Sequence, residues 1–179
     1  DDNLFSIKTL GFRGEALPSI ASVSKFKIIS KTNSDNVGSE IYISAGELVH
    51  NKLSNRPTGT TVIVKDIFFS TPARLKFLKS EKYENILIKK TIQKLALANT
   101  EVEFNLFSED KNIIATKPIK KSTKFDLLKK RVIDLFGEIF EKNLILFEQK
   151  RDNFIFTGLI SLPTFHFSNS TNQFFFVNN

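Results

Sequence analysis

A chain of 179 residues, 41% hydrophobic and 25% charged, has the composition of a folded globular protein and the length for two small cores. Lys and Arg number 26 against 19 Asp and Glu, a formal net charge of +7 that favours a polyanionic partner; the same Lys-rich usage, with 19 Phe and no Trp, is equally what an AT-rich genome produces. Zero Cys excludes disulfides and thiolate zinc, His50 and His166 stand far apart, and no apolar run reaches the roughly 18 residues of a membrane span, so a cytoplasmic protein is expected.

The first signal in chain order is Gly11-Phe12-Arg13-Gly14-Glu15-Ala16-Leu17, two glycines around an arginine at a loop-to-helix junction. Glycine tolerates positive φ and close backbone approach, so amides here can converge on an anion, helped by a helix N-terminus and a guanidinium fork. Taken alone, an ordinary glycine turn before an amphipathic helix explains the pattern as well. Leu17, Ile20, Ala21 and Ser24 keep helical spacing, which predicts a helix from Glu15 to Ser24 with Pro18 in its first turn. Strands are predicted over Lys25 to Lys31, Glu40 to Ser44 and Thr60 to Asp66, with a polar connection from Asn33 to Gly38. The third strand has apolar residues on both faces and reads as covered on both sides. Thr71-Pro72-Ala73-Arg74 has the form of a helix start, Thr71 offering a hydroxyl cap and Pro72 filling the first position.

From about Ser80 the pattern changes. Glu84 to Ala98 predicts a helix with Ile88, Ile92, Leu95 and Ala96 as its buried stripe and Lys89, Lys90, Gln93 and Lys94 opposite. Glu101 to Leu106 alternates as a half-buried strand, and Phe125 to Phe136 is a second helix ended by Gly137. Strands follow at Leu144 to Gln149, Phe154 to Leu162 and Gln173 to Val177. Basic residues are densest at Lys117 to Lys121 and at Lys129-Lys130-Arg131, where a solvated helix face competes with phosphate binding.

In GFRGEAL (from Gly11), GTTV (from Gly59) and TPAR (from Thr71), and in the order of these runs, the sequence resembles the MutL family of DNA mismatch repair proteins, members of the gyrase, Hsp90, histidine kinase and MutL (GHKL) ATPase superfamily. That superfamily does not use the P-loop, and no G-x-x-x-x-G-K-[ST] occurs here. The resemblance implies an α+β chain: residues 1–79 as the C-terminal part of a GHKL (Bergerat) α/β sandwich with the ATP lid, GTT motif and TPAR linker, and residues 80–179 as a truncated transducer domain like ribosomal protein S5 domain 2. It further implies ATP-binding roles for Gly11, Phe12, Arg13, Gly14, Glu15, Ala16, Leu17 and Thr60.

ATP and Mg2+ are the implied cofactors. DNA, the mismatch recognition protein MutS and a second copy joined through N-terminal regions on ATP binding are the implied partners. Arg74, Lys76, Lys129, Lys130 and Arg131 are the candidate DNA contacts; where relatives often read YNTPARRKF, this chain has FSTPARLKF, so Leu75 lacks the charge of the second arginine. The family's general-base glutamate and magnesium-holding asparagine precede GFRGEAL, so the chain is expected to be an internal fragment inactive on its own. A non-catalytic DNA-binding or protein-interaction module is the alternative from a different class.

Overall fold

In the computed structural model, which describes residue 11 and residues 13–119 and 123–177, the alternating run after the glycine loop forms β1 (Lys25–Lys31). It follows α1 (Ala16–Ala21) and is joined by β2 (Gly38–Ser44), β3 (Glu47–Ser54) and β4 (Gly59–Lys65) in one antiparallel sheet of order β3-β2-β1-β4. These elements, with the short α2 (Pro72–Leu75), belong to the first of two compact units, Asp1–Leu78 and Lys79–Asn179. Close packing explains Gly38: a Cβ there would sit 2.7 Å from the Ser30 carbonyl oxygen and 3.1 Å from that of Ser54.

Three features of this unit differ from the sequence expectation. The first helix stops at Ala21 because serines take its last carbonyls, Ser22 Oγ donating to the Ser19 oxygen and Ser24 Oγ to that of Ile20, at 2.9 and 2.7 Å. β3 was not legible, since Glu47 to Ser54 mixes polar and apolar residues; Ala45 and Gly46, both at positive φ (49° and 88°), make the tight turn that folds it onto β2. β4 is an edge strand in the described sheet, with Val62 and Val64 still 44% and 42% exposed. Among the described residues no second strand pairs with it.

The second unit contains α3 (Glu81–Ala98), the hairpin β5 (Asn105–Ser108) and β6 (Lys111–Ala115), α4 (Lys124–Phe136), and the hairpin β7 (Leu144–Arg151) and β8 (Phe154–Ser161). Ser80 and Thr123 begin the two helices with extended backbones, and their hydroxyls accept from the amides of Tyr83 and Asp126. Gly137, at φ 101°, ends α4 as expected. α4 touches α3, β6 and β8, and Ala96, Leu97, Ile114 and Ile119 are buried. A second apolar cluster gathers Phe140 with Phe165 (5.2 Å, edge-on) and Phe167 (5.9 Å, stacked).

The predicted stripe of α3 is corrected. Ala96 is buried and Ile92 half-buried as the stripe requires, but Ile88 and Leu95 stay exposed, and Leu97, outside the predicted stripe, is buried. β5 starts at Asn105, not Glu101; β6 was not anticipated, and residues 173–177 form no strand. Among the described residues no helix is long and apolar enough to cross a membrane.

Candidate functional site

The glycine loop lies directly ahead of α1. Gly14 adopts φ 68°, a left-handed angle that favours glycine, and nothing lies within 4 Å of where its Cβ would be. Gly11, Arg13, Glu15, Ala16 and Leu17 are exposed; Phe12 lies outside the described residues. Glu15 occupies the N-cap position without a side-chain capping bond, which leaves the first-turn amides uncovered by its carboxylate. Pro18 has no N–H, so that turn offers the amides of Ala16 and Leu17. α1 has six residues, and local amides and the Arg13 guanidinium, more than a long helix dipole, are what this loop presents to an anion.

Thr60 stands near the start of β4, after Gly59 at φ 131°, and its hydroxyl shares a 2.7 Å hydrogen bond with Ser30. The register pairs Thr60 with Ser30, at the opposite end of the β1–β4 ladder from the Lys25–Lys65 pair that follows α1. Arg56, absent from the sequence reading, donates from one guanidinium nitrogen to the Ile29 carbonyl and from Nε to that of Pro57 at 3.0 Å. It ties the segment before the Gly59-Thr60-Thr61 run to β1. An arginine just ahead of a turn glycine was the only signal available for it.

The candidate DNA contacts separate by exposure. Arg74 and Lys76 are exposed in the first unit; in the second, Lys130 is exposed and Lys129 half-buried. Arg131 is a correction: its residue is fully buried, and its terminal nitrogens donate to the carbonyls of Ala96 (3.1 Å), Thr100 (2.7 Å), Val102 (2.9 Å) and Lys117 (3.1 Å). Burial lowers its pKa, with Asp134 opposing. This guanidinium holds the end of α3 and two loops together and is not a surface phosphate ligand. Lys120 and Lys121 lie outside the described residues.

Thr71 also departs from expectation. Its backbone (φ −132°, ψ 73°) lacks the extended geometry of Ser80 and Thr123, its hydroxyl makes no cap, and Oγ1 is buried without a hydrogen-bond partner. Pro72 does take the first helical position.

A polar cluster on the sheet was not foreseen. Glu40, 9% exposed, accepts from His50 Nε2 at 2.9 Å and has the ammonium groups of Lys52 and Lys27 at 3.4 and 3.7 Å. The His50 hydrogen bond first, then Lys52 and Lys27, hold its carboxyl below the ordinary glutamate range. On acidification the unfolded chain therefore takes up this proton first; the stabilisation is complete above the ordinary range and vanishes as pH falls through the folded value. Urea unfolding from about pH 7 to about pH 3 is expected to show Glu40→Gln less stable at neutral pH, the two proteins converging in acid. A constant gap would refute the linkage.

Among the described residues no group of three or more His, Asp or Glu side chains is placed to hold a metal ion. No protein-family model matches the chain. Among curated proteins, the DNA mismatch repair protein MutL of Rickettsia prowazekii is 39% identical over 179 residues, all of this chain and 30% of that protein. MutL of Rickettsia akari is 38% identical over the same span, 29% of its length. Among solved structures, the Aquifex aeolicus MutL ATPase domain complexed with ADP aligns with TM-score 0.66 and 34% identity, covering 83% of this chain and 55% of that one.

A mixed helix and sheet chain with these neighbours resembles part of a GHKL-type MutL ATPase domain. It belongs to the MutL family, and it spans about 30% of the length of the curated relatives it matches.

Proposed function

We propose that this chain is one part of an ATP-driven mismatch repair switch: the edge of a nucleotide site in its first unit, followed by an S5 domain 2-like transducer in its second. The observation that carries the reading is Gly14 at φ 68° in open space, next to Arg13 and the uncapped first turn of α1, within a sequence aligned along its whole length to proteins named MutL. The aligned Aquifex domain is complexed with ADP, which supports a nucleotide as the anion.

The fit is chemical. Amides of Ala16 and Leu17 and the Arg13 fork offer donors to phosphate oxygens, and Thr60 offers a hydroxyl close to the sheet. Bound Mg-ATP supplies the phosphoanhydride whose cleavage resets the switch, with the metal ligand and general base contributed by residues outside this chain. Glu15, ahead of α1, favours the local positive charge of the helix start and is not assigned as the base. Such a switch works only if ATP binds one conformation more tightly than the other. Self-association through N-terminal regions, contact with MutS and DNA binding through Arg74, Lys76, Lys129 and Lys130 complete the proposal, in the cytoplasm.

Labelled ATP and short duplex DNA, titrated into this chain and into a version extended upstream, test it. Little hydrolysis from the chain and its recovery on extension are expected. Binding confined to DNA in both would support the non-catalytic module instead.

A further inference from the structure

The N-terminal half of α3 leaves one side open. Lys82, Ile86 and Lys89 recur at helical spacing, with Asn85 beside them, and border a cleft of about 540 Å³ whose other wall is the β5–β6 hairpin. In that hairpin Leu106 pairs with Ile114 and Phe107 with Asn112, so Ile113 is an extra residue, a bulge that breaks strand alternation. Leu106, Phe107 and Ile113 all border the cleft, while Ile114, next in sequence, is buried. Phe107 and Ile86 remain 61% and 55% exposed, in a volume typical of a ligand site.

The charges around the cleft select an occupant. Among the described residues neither Lys82 nor Lys89 has an ion-pair partner. Glu81 also borders the cleft, but it lies in the first turn of α3, where a carboxylate complements the helix N-terminus. Seven residues of helix set the two lysines about 10 Å apart, the spacing of two carboxylates that flank an apolar pair in an extended peptide. The single carboxylate of a fatty acid satisfies one lysine and leaves the other.

We propose that the cleft between α3 and the β5–β6 hairpin receives an acidic, apolar peptide segment of a partner protein, two apolar side chains entering against Ile86, Phe107 and Ile113 and a carboxylate on each side meeting Lys82 and Lys89. The apolar walls supply affinity, and the lysines orientation. Asn85 and Ser108, which also line the cleft, offer hydrogen bonds to the peptide backbone. The site lies wholly within the second unit, and the inference does not depend on the nucleotide reading.

Fluorescein-labelled Glu-Leu-Phe-Glu, titrated into the protein by fluorescence anisotropy at low salt and at about 1 M salt, tests the site, with Gln-Leu-Phe-Gln and Glu-Ser-Ser-Glu alongside. Saturable binding is expected for the first peptide, and binding at least about tenfold weaker for Glu-Ser-Ser-Glu. Lys82→Gln with Lys89→Gln is expected to weaken the acidic apolar peptide about fivefold to tenfold at low salt, the loss fading at about 1 M, and to leave Gln-Leu-Phe-Gln within about twofold. Phe107→Ser is expected to weaken both apolar peptides about tenfold. All three side chains are exposed, and circular dichroism melts check folding; should Phe107→Ser unfold, the lysine pair still decides. Equal binding of the Glu and Gln peptides, or a lysine pair that changes nothing, would overturn the proposal. So would decanoate or an oligothymidylate that binds the cleft more tightly than the peptide. Failure of the peptide to bind the protein extended to the length of its relatives would overturn it too, the protein's own chain then filling the cleft.

Discussion

Arg131→Ala is expected to destabilise the second unit by about 4 kcal/mol, in the far tail of single substitutions. Among the described residues Arg131 is the largest fully buried side chain, and four backbone carbonyls accept from it, that of Thr100 also accepting from the Ile119 amide at 3.2 Å. Hydrogen bonds to a charged donor are worth about 1.5–3 kcal/mol each, and a buried acceptor left unpaired costs about 1–3 kcal/mol. The full sum is not realised, because alanine removes the need to desolvate a cation and water can reach the partly buried carbonyls. Urea unfolding gives the total, and hydrogen exchange at the C-terminal turns of α3 locates it. Arg131→Met keeps much of the volume without a donor, and Arg131→Lys keeps the charge without a planar fork. Both are expected to remain strongly destabilised; near-complete rescue by methionine would mean that packing, not the carbonyl bonds, is what Arg131 supplies.

Arg13→Ala, made in the upstream-extended protein, is expected to weaken ATP binding roughly 10- to 100-fold, the equivalent of one charge-assisted contact of about 1.5–3 kcal/mol. Arg13 is exposed in a loop, so the protein's melting temperature should barely change. Titration calorimetry with a non-hydrolysable analogue checks affinity apart from turnover. Arg13→Lys should recover part of the loss, since it restores charge but not the fork. An unchanged affinity and turnover in Arg13→Ala would remove this residue from the nucleotide site.

Arg131 marks where the sequence reading failed, and Arg13 is the arginine that it treated in the same way. Both are arginines in short basic or glycine-rich contexts, and the sequence reading gave both an anion to bind. Lys129-Lys130-Arg131 looked like one basic cluster, but one helical turn distributes three consecutive residues around its circumference. Lys130 faces water and Arg131 the interior. Nothing local distinguishes them, because the carbonyls that receive Arg131 come from positions 96, 100, 102 and 117. The same holds for Glu40: its partners Lys27, His50 and Lys52 sit on β1 and β3, and β3 itself was unreadable before its pairing with β2 was known.

Local patterns determined what depends on neighbours within a few positions. Spacing alone located β1, the bodies of α3 and α4, the β7–β8 hairpin, the Gly137 stop and the glycine bend before α1, and the GFRGEAL, GTTV and TPAR runs gave the family. Tertiary contact alone decided which charges are buried, that β4 lies at the described sheet's edge, and that Lys82 and Lys89 of α3 meet Phe107 and Ile113 of the β5–β6 hairpin in one cleft. Periodicity encodes a residue's direction from its own backbone; the groups it meets there are brought by chain segments tens of residues away, and only folding supplies them.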